Sequence, residues 1–399
     1  MTQNNTLDFI LLSAKALHEN GLPTHRLEER MKVVCSSLAI NGQFFSTPGS
    51  IFASLTIQGV TQSHMIKVTD NELNLEKIDL IEVIIQKVIS KEINPQEGHE
   101  KLNQITSSKN RYSEITTVVF MGISTAAAAC VFGGELPAII CALIIGLGIG
   151  SIGSIIRFVP QLDKAHALIS AIWAVLISGF FNSYFKDFQV DIATICGLIL
   201  LIPGFTFTVS VTEMVNNHLI AGLSRFTTAF ITFVMLAIGI GVGESILGKM
   251  QLSQGLNSWG ILPAWKEWLA LIFVPLGFVV LFKAKPKDFW WILIGCWISY
   301  YSFKLGTSFT SNTGAVFLAS LLLGIISNLF GIKMKRNPSV MLIPGMILLV
   351  PGSLGFLSIS KLVESDVVAG IQIALNMLTT SMALVLGVIF SNILLKIKN

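Results

Sequence analysis

The sequence predicts a polytopic α-helical membrane protein, with about ten transmembrane helices arranged as an inverted repeat of five plus five, preceded by a small α+β soluble domain. Three observations support this prediction. Apolar residues make up 52% of the 399 residues and charged residues only 13%, whereas a soluble domain usually carries about 25% charged residues. The charged residues are concentrated near the N-terminus, and a short pattern from the first half of the chain recurs in the second. We therefore expect a cytoplasmic α+β domain at 1–112, a first five-helix membrane half at 113–248 and a second at 249–399.

The front domain (residues 1–112) has the spacing of two helices, then of short strands, then of two more helices. Pro48-Gly49 interrupts the β-rich region, as expected of a turn between strands. Thr24, with Glu28 nearby, is expected to cap the second helix. The expected segments, in chain order, are 6–20, 24–40, 41–70, 75–93 and 94–106.

Ten apolar stretches follow, each close to the roughly 20 residues that a helix needs to cross a hydrocarbon core. Runs this long and without alternation predict helices rather than barrel strands. Lys and Arg are more frequent in alternate loops, which places both termini in the cytoplasm under the positive-inside rule. The N-terminus does not have the pattern of a signal peptide, and we expect a multi-pass protein of the cell inner membrane. The stretches are 115–132, 136–156, 165–183, 190–209, 219–247, 267–283, 288–303, 311–331, 338–357 and 366–395.

A repeated pattern links the two halves. The segment LLIPG at 200–204 recurs as LLVPG at 348–352, a shift of 148 residues, and Ile220-Ala221-Gly222 recurs as Val368-Ala369-Gly370 at the same shift. Five predicted spans separate the copies, so the second copy enters the membrane from the opposite side, as in transporters built from inverted repeats. Pro-Gly inside an apolar span also predicts a broken helix, because proline lacks the N–H and clashes with the preceding turn.

Backbone groups and hydroxyls at the two breaks are candidates for binding a polar substrate. A helix that begins at Gly204 or Gly352 directs its positive dipole end and free N–H groups at the membrane interior, which favours a carboxylate. A proline kink or a single Ser or Thr is also found in ordinary packed transmembrane helices. The prediction therefore depends on the recurrence of the Pro-Gly break in both halves of the chain. The candidate substrate-binding residues are Pro203, Gly204, Thr206, Thr208, Ser210, Pro351, Gly352 and Ser353.

A polar group beside the fourth and fifth spans, with a counterpart in the second half, supplies the candidates for proton or ion coupling. Ionisable groups at membrane depth often belong to a substrate or proton path, and both His and a buried Glu can titrate near neutral pH. The alternative is that these residues lie in water at the cytoplasmic ends of helices. The candidates are Glu213, His218, Arg225 and Asp366.

Other patterns exclude several classes of function. The basic residues are dispersed rather than clustered, which argues against a nucleic-acid partner. The five cysteines form no CxxC pair and lack the spacing of metal ligands, and we expect neither a metal nor a cofactor. A GxGxxG match at 148–153 lies inside an apolar span with no strand before it, so no dinucleotide site is expected. The expected partners are a small-molecule substrate and the lipid bilayer, and the sequence leaves open whether the chain forms a homo-oligomer.

The chain resembles the bacterial and fungal threonine/serine exporters in the order of its parts and in two stretches, LLIPGFTFTVSVTEMVNNHLIAGLSR at 200–225 and LLVPGSLGF at 348–356. The front segment GLPTHRLEERM is similar in layout. The resemblance implies efflux of threonine and serine driven by the proton-motive force. It also implies hydrolase-like features in the front domain, which the residues themselves do not support. The positions that it carries over are Pro203, Gly204, Glu213, Gly222 and Arg225, with Glu213 standing where some relatives have Asp.

Two alternatives to an amino-acid exporter stay open on sequence alone. Related two-subunit members of the same family are implicated in dicarboxylate export, and a succinate-like substrate would need the same anion site. The other alternative is a membrane-anchored hydrolase or sensor whose soluble domain acts on a ligand. A hydrolase could be assembled from Ser46, Ser50, Ser54 and His64, but nothing places a base beside a nucleophile. We expect a transporter rather than an enzyme.

Overall fold

The computed structural model describes residues 2–57, 59–69, 73–248, 264–334, 336–363 and 366–395. The expected boundary between the two membrane halves falls at the edge of the undescribed segment 249–263, and the C-terminal residue lies outside the described part.

The front domain combines helices with a three-stranded antiparallel sheet of order β1-β2-β3. Phe9, Leu17, Met31 and Leu55 are fully buried between the helices and the sheet, and burial of each such side chain contributes about 1.5–3 kcal/mol. The predicted order of helices and strands is confirmed, although the second helix ends at Ser37 rather than near residue 40. The elements are α1 Thr2–Glu19, α2 Thr24–Ser37, β1 Asn41–Thr47, β2 Ser50–Ile57, β3 Val60–Lys67, α3 Leu75–Ile89 and α4 Pro95–Ser107.

The rest of the described chain is helical. Ser113 caps the first of these helices by accepting a hydrogen bond from the Thr116 N–H, as expected for serine at this position. Two further 3-10 turns lie in the connections, at Pro160–Ala165 and Pro286–Asp288. The helices are α5 Glu114–Val131, α6 Leu136–Ile156, α7 His166–Tyr184, α8 Val190–Leu198, α9 Gly204–Val215, α10 Leu219–Leu247, α11 Ala264–Leu281, α12 Phe289–Gly306, α13 Asn312–Met334, α14 Ser339–Leu349, α15 Gly352–Val363 and α16 Val367–Leu395.

Within the described residues, seven helical segments are long and apolar enough to cross a membrane. The chain is therefore a multi-pass membrane protein. The fourth predicted stretch is divided between α8, with 9 residues, and α9, with 12, and neither alone reaches the length of a span. The seven segments are Glu114–Val131, Leu136–Ile156, Gln161–Tyr184, Leu219–Leu247, Asn312–Met334, Ser339–Leu362 and Val367–Leu395.

One set of helix connections lies against the front domain. The N–H of Leu75, at the start of α3, donates to the Phe282 carbonyl at 2.9 Å. Lys285, in the connection between α11 and α12, pairs with Asp79 of α3 at 2.6 Å. Arg26 of α2 donates to Ser339 Oγ, at the start of α14, at 2.5 Å. The α11–α12 and α13–α14 connections are thus on the side of the front domain.

Other helix ends contact one another in a second group. The Glu135 N–H, between α5 and α6, donates to Gln189 Oε1, between α7 and α8, at 2.7 Å. Lys266 at the start of α11 donates to the Gly134 carbonyl at 3.1 Å, and Lys304 near the end of α12 pairs with Glu267 at 2.8 Å. The connections that make these contacts therefore fall into two groups.

The helix boundaries follow the shift of 148 residues seen in the sequence. The helices α9 and α15 each have 12 residues and begin at Gly204 and Gly352. The helices α10 and α16 each have 29 residues and begin at Leu219 and Val367. Packing also corresponds, because Gly222 lies against the Ser210 carbonyl and Gly370 against the Ser358 carbonyl.

Candidate functional site

Both Pro-Gly pairs interrupt a helix, as the sequence predicted. The first break separates α8, which ends at Leu198, from α9, which begins at Gly204. The second separates α14, which ends at Leu349, from α15, which begins at Gly352. A proline at each break cannot donate the N–H that would continue the preceding helix.

The two breaks touch each other through their glycines. A Cβ atom added to Gly204 would lie 2.7 Å from the Gly352 Cα, and one added to Gly352 would lie 3.3 Å from the Gly204 Cα. Only glycine permits this approach of two backbones. The structure therefore brings the two motifs into direct contact.

The N-termini of α9 and α15 therefore converge on one place. The first N–H groups of a helix have no partner inside that helix, and the aligned peptide dipoles give this end a partial positive charge. Two such ends at one place within apolar surroundings favour a bound negative charge. Of the candidate residues, Gly204 and Gly352 form this contact, and Pro203 and Pro351 each precede one of these glycines in the chain.

The candidate hydroxyls occupy the turns that follow the breaks. Thr208 and Ser210 are fully buried, and Ser210 Oγ donates to the Phe207 carbonyl at 2.6 Å. Thr208 Oγ1 has no hydrogen-bond partner among the described residues. Thr206 and Ser353 are half-buried. The Thr208 hydroxyl is therefore buried near the first break and can still accept or donate a hydrogen bond.

Glu213 is the best-defined charged residue of the site. Its side chain has no exposed surface, and its Oε2 atom lies 3.3 Å from Arg225 Nε. Its Oε1 atom accepts a hydrogen bond from the Thr24 backbone N–H at 3.1 Å. Thr206, Ser210 and Glu213 are spaced by four and three residues, so they share one face of α9. This face leads from the glycine contact to the front domain.

The expected capping role of Thr24 is wrong. The N-cap of α2 is Pro23, and no side chain of the neighbouring sequence caps the helix. Glu28 instead accepts a hydrogen bond from the Ser46 N–H at 2.8 Å and lies 3.6 Å from His218 Nδ1. Glu213, from the membrane part of the chain, binds the first N–H of α2, because Pro23 offers no side-chain acceptor.

The titratable groups of the front domain at this interface have altered pKa values. Burial lowers the pKa of His25 to about 3, helped by the charges of Arg26 and His218, so its imidazole is neutral near pH 7. Burial also raises the pKa of Glu28, and the charge of Glu213 adds to this, while the Ser46 N–H and His218 oppose it.

Asp366 lies in a different place. Its Oδ1 atom accepts a hydrogen bond from the Ala369 N–H at 3.2 Å, so it caps α16. The side chain is exposed, in the connection between α15 and α16. His218 occupies the corresponding position between α9 and α10 and contacts the front domain.

Sequence reasoning did not assign Thr24, His25 and Glu28 to the site. The segment GLPTHRLEERM contains four charged residues and a histidine at the start of a helix, where Thr24, Leu27 and Met31 are buried. This concentration of polar groups at the start of a helix could have indicated that the segment belongs to a site. A cap formed by Thr24 was the simpler explanation for it.

The residues considered for a hydrolase are not assembled as a nucleophile and base in the contacts of the described strands. The backbone of Ser46 binds Glu28, and Ser50 lies beside Thr47, with 2.9 Å between their hydroxyl oxygens. His64 is opposite Ala53 in the sheet, and Ser54 is opposite Ser63.

Comparison with known proteins gives matches along most of the chain. A family model described as a threonine/serine exporter matches residues 8–247, and a second, described as "Threonine/Serine exporter, ThrE", matches residues 267–394. No solved structure matches the chain.

Three relatives with curated descriptions come from fungi. Pheromone-regulated membrane protein 10 of Kluyveromyces lactis is 26% identical over 92% of this chain and 39% of its own length. The protein of the same name from Saccharomyces cerevisiae is 25% identical, over 87% of this chain and 46% of its own length. Uncharacterized protein C16A10.01 of Schizosaccharomyces pombe is 23% identical, over 86% of this chain and 43% of its own length. The chain therefore spans less than half the length of these relatives.

Proposed function

Because the chain belongs to the threonine/serine exporter family, we propose that it is a secondary transporter that exports threonine and serine from the cytoplasm by proton antiport. The observation that carries the proposal is the contact between Gly204 and Gly352. It brings two helix N-termini together inside an apolar helical protein. Broken helices of this kind form the substrate sites of many secondary transporters.

The proposal includes ten crossings arranged as an inverted repeat of five plus five. The division of the connections named above into two groups of contacts supports it, because helices such as α11 and α12 then lead from one group to the other. The matching lengths and starts of α9 and α15, and of α10 and α16, support the repeat. The front domain and both termini lie in the cytoplasm in this arrangement, and the membrane is the cell inner membrane.

The substrate carboxylate binds at the converging N-termini of α9 and α15, where the dipoles favour an anion. The hydroxyl of threonine or serine is recognised by side chains of the following turns, for which Thr206, Thr208 and Ser353 are the candidates. Gly204 and Gly352 are in contact in this structure. A substrate therefore requires the two halves to separate at the breaks, as alternating access also demands.

Proton coupling is assigned to Glu213, with Arg225 and His218 beside it. A carboxylate without exposed surface is stable in its charged form only if it is paired and hydrogen-bonded. Glu213 has both kinds of partner in Arg225 and the Thr24 N–H. A change in either contact changes the free energy of binding a proton, which is the property a coupling residue needs.

A dicarboxylate such as succinate is the second candidate substrate. The convergence of two positive helix ends favours it, because each end suits one carboxylate. A membrane-anchored hydrolase or sensor is less well supported, since within the described residues no base is in hydrogen-bond contact with the serines considered for the hydrolase.

Vesicles that contain the purified protein and labelled threonine, serine or succinate test the proposal. We expect the wild type to move threonine and serine when a pH gradient is applied. We expect Glu213→Gln to lose at least tenfold of this gradient-driven flux, because Gln cannot exchange a proton. Glu114→Gln is the matched control, since Glu114 is an exposed carboxylate at the start of α5 that is paired with Arg157.

Each outcome decides a part of the proposal. Unchanged flux in Glu213→Gln would remove Glu213 from the coupling path. If succinate crosses and the amino acids do not, the substrate is a dicarboxylate rather than threonine and serine. If no solute crosses in the wild type, the transporter proposal fails.

A further inference from the structure

The front domain is attached to both membrane halves. Thr24 of α2 binds Glu213 in the first half, while Arg26 of the same helix binds Ser339 in the second. The start of α3 adds backbone hydrogen bonds to the second half, from Leu75 and Glu76 to the carbonyls of Phe282 and Lys283. If the halves move relative to each other, a domain attached to both must release one of them.

The attachment to the first half depends on charge. The Glu213 carboxylate accepts a hydrogen bond from the first N–H of α2 and lies beside Arg225, and a hydrogen bond to a charged acceptor is stronger than one to a neutral acceptor. The other charged or titratable groups at this interface are His218 from the start of α10, and His25, Arg26 and Glu28 from α2. The attachment to the second half includes backbone hydrogen bonds, which do not titrate.

We propose that the front domain is a gate over the end of α9, held closed by the bond between the Thr24 N–H and ionised Glu213 and released when Glu213 binds a proton. This inference rests on the proposed transport function. The face of α9 that carries Thr206, Ser210 and Glu213 leads from the glycine contact to α2, so the front domain covers the end of the proposed substrate path. The contacts with α11–α12 and with Ser339 act as the hinge.

The gate gives proton antiport a defined order. A proton that arrives at Glu213 neutralises the carboxylate and weakens its bond to α2, so the path opens towards the cytoplasm. The proton then leaves to the cytoplasm and a substrate enters. The ionised carboxylate binds α2 again and closes the path.

Replacement of Thr24 by proline tests the bond directly. Thr24 is the first residue of α2, where proline is well tolerated because that N–H has no partner within the helix. The preceding residue, Pro23, has φ −58° and ψ 145°, the extended conformation that a residue before proline prefers. T24P therefore removes the donor to Glu213 and leaves α2 able to form. T24V retains the N–H and removes only the hydroxyl, so a difference between the two variants isolates the bond.

Hydrogen exchange and flux are measured on the full-length protein in vesicles. In T24P we expect at least fivefold faster exchange of the amides of residues 25–30 than in T24V, with the amides of residues 78–88 in α3 unchanged. We also expect at least threefold more downhill movement of threonine without a pH gradient. Equal exchange and equal flux in T24P and T24V would overturn the gate.

A double variant guards against misfolding of T24P. E213Q weakens the same bond from the other side, because a neutral amide oxygen replaces the charged carboxylate oxygen as the acceptor. Exchange in residues 25–30 should therefore rise towards the rate in T24P, and T24P/E213Q should show no further rise. Independent, additive effects would contradict a shared bond. If no variant moves any tested solute while exchange still rises in T24P and E213Q, the transport function fails but the attachment of α2 by Glu213 stands.

Discussion

Glu213 shows how a single buried charge can organise a site. Its carboxylate has no exposed surface and is compensated by Arg225, by the Thr24 N–H and by the positive end of α2. Removal of one partner of a buried ion pair costs about 3–5 kcal/mol, because the other charge is left without compensation. The residue is therefore sensitive to any movement of α2 or α10.

The glycine contact gives a prediction about single methyl groups. We expect Gly204→Ala to lower the free energy of unfolding by about 1–3 kcal/mol, because its Cβ would overlap the Gly352 backbone at 2.7 Å. Gly352→Ala should cost less, since its closest contact is 3.1 Å, to a methyl group of Ile202. Thermal unfolding in one detergent measures both.

Gly241→Ala is the control for this pair. Gly241 lies within α10 and has open space around its Cα, so alanine should be neutral or stabilise by up to about 1 kcal/mol through helix propensity. An equal loss of stability in all three variants would show that the contact between the breaks is not the cause.

At the scale of elements, the broken helices end and begin at the residue types that usually interrupt helices. Proline ends α8 and α14 by removing a donor, and glycine begins α9 and α15 where two backbones meet. The N–H groups of Gly204 and Gly352 donate to the carbonyls of Ile202 and Val350. The N–H groups that follow in the first turn have no partner within the helix, which is a cost in lipid unless a ligand or another part of the protein binds them. The same cost makes the breaks suitable for binding an anion.

The cap of α16 gives a prediction that separates structure from coupling. Asp366 binds the Ala369 N–H, and loss of such a cap costs about 1 kcal/mol. We expect Asp366→Ala to lower the unfolding temperature and Asp366→Asn to restore most of it, with the dependence of export on the pH gradient retained in both. Loss of that dependence in both variants would instead support the coupling role that the sequence suggested.

At the scale of the whole molecule, the front domain connects regions of the chain that lie far apart in sequence. Asp79 pairs with Lys285 at 2.6 Å and with Arg336 at 3.6 Å, and Arg336 also pairs with Asp288 at 2.8 Å. These partly buried pairs join α3 to two connections of the second half. The network is consistent with a fixed hinge between the front domain and the second membrane half.

Labelling of introduced cysteines in intact cells tests the arrangement of the ten crossings. We expect an impermeant thiol reagent to label Asp187→Cys and Ser308→Cys at least tenfold faster than Lys164→Cys and Lys287→Cys. The proposed topology puts the first pair outside the membrane, where the reagent is, and the second pair in the cytoplasm. All four positions are exposed in the fold, whereas four of the five native cysteines are buried. Equal labelling of both pairs would exclude the inverted five-plus-five arrangement.

The sequence by itself determined the membrane class, the succession of helices, the α+β character of the front domain and the two breaks. These features are local, because hydropathy, helical spacing and the missing proline N–H act within a few residues of each position. The repeat of LLIPG at 348–352 also indicated that the two breaks correspond.

Only the tertiary structure decided that Gly204 touches Gly352 and that Glu213 binds the N–H of Thr24, 189 residues away. No local pattern encodes such pairings, because they arise when packed helices bring separate segments to one place. Local reasoning assigned a capping role to Thr24, and packing replaced that cap by a carboxylate from the membrane part of the chain. The site therefore spans two domains, since a buried charge takes its partners from whichever elements surround it.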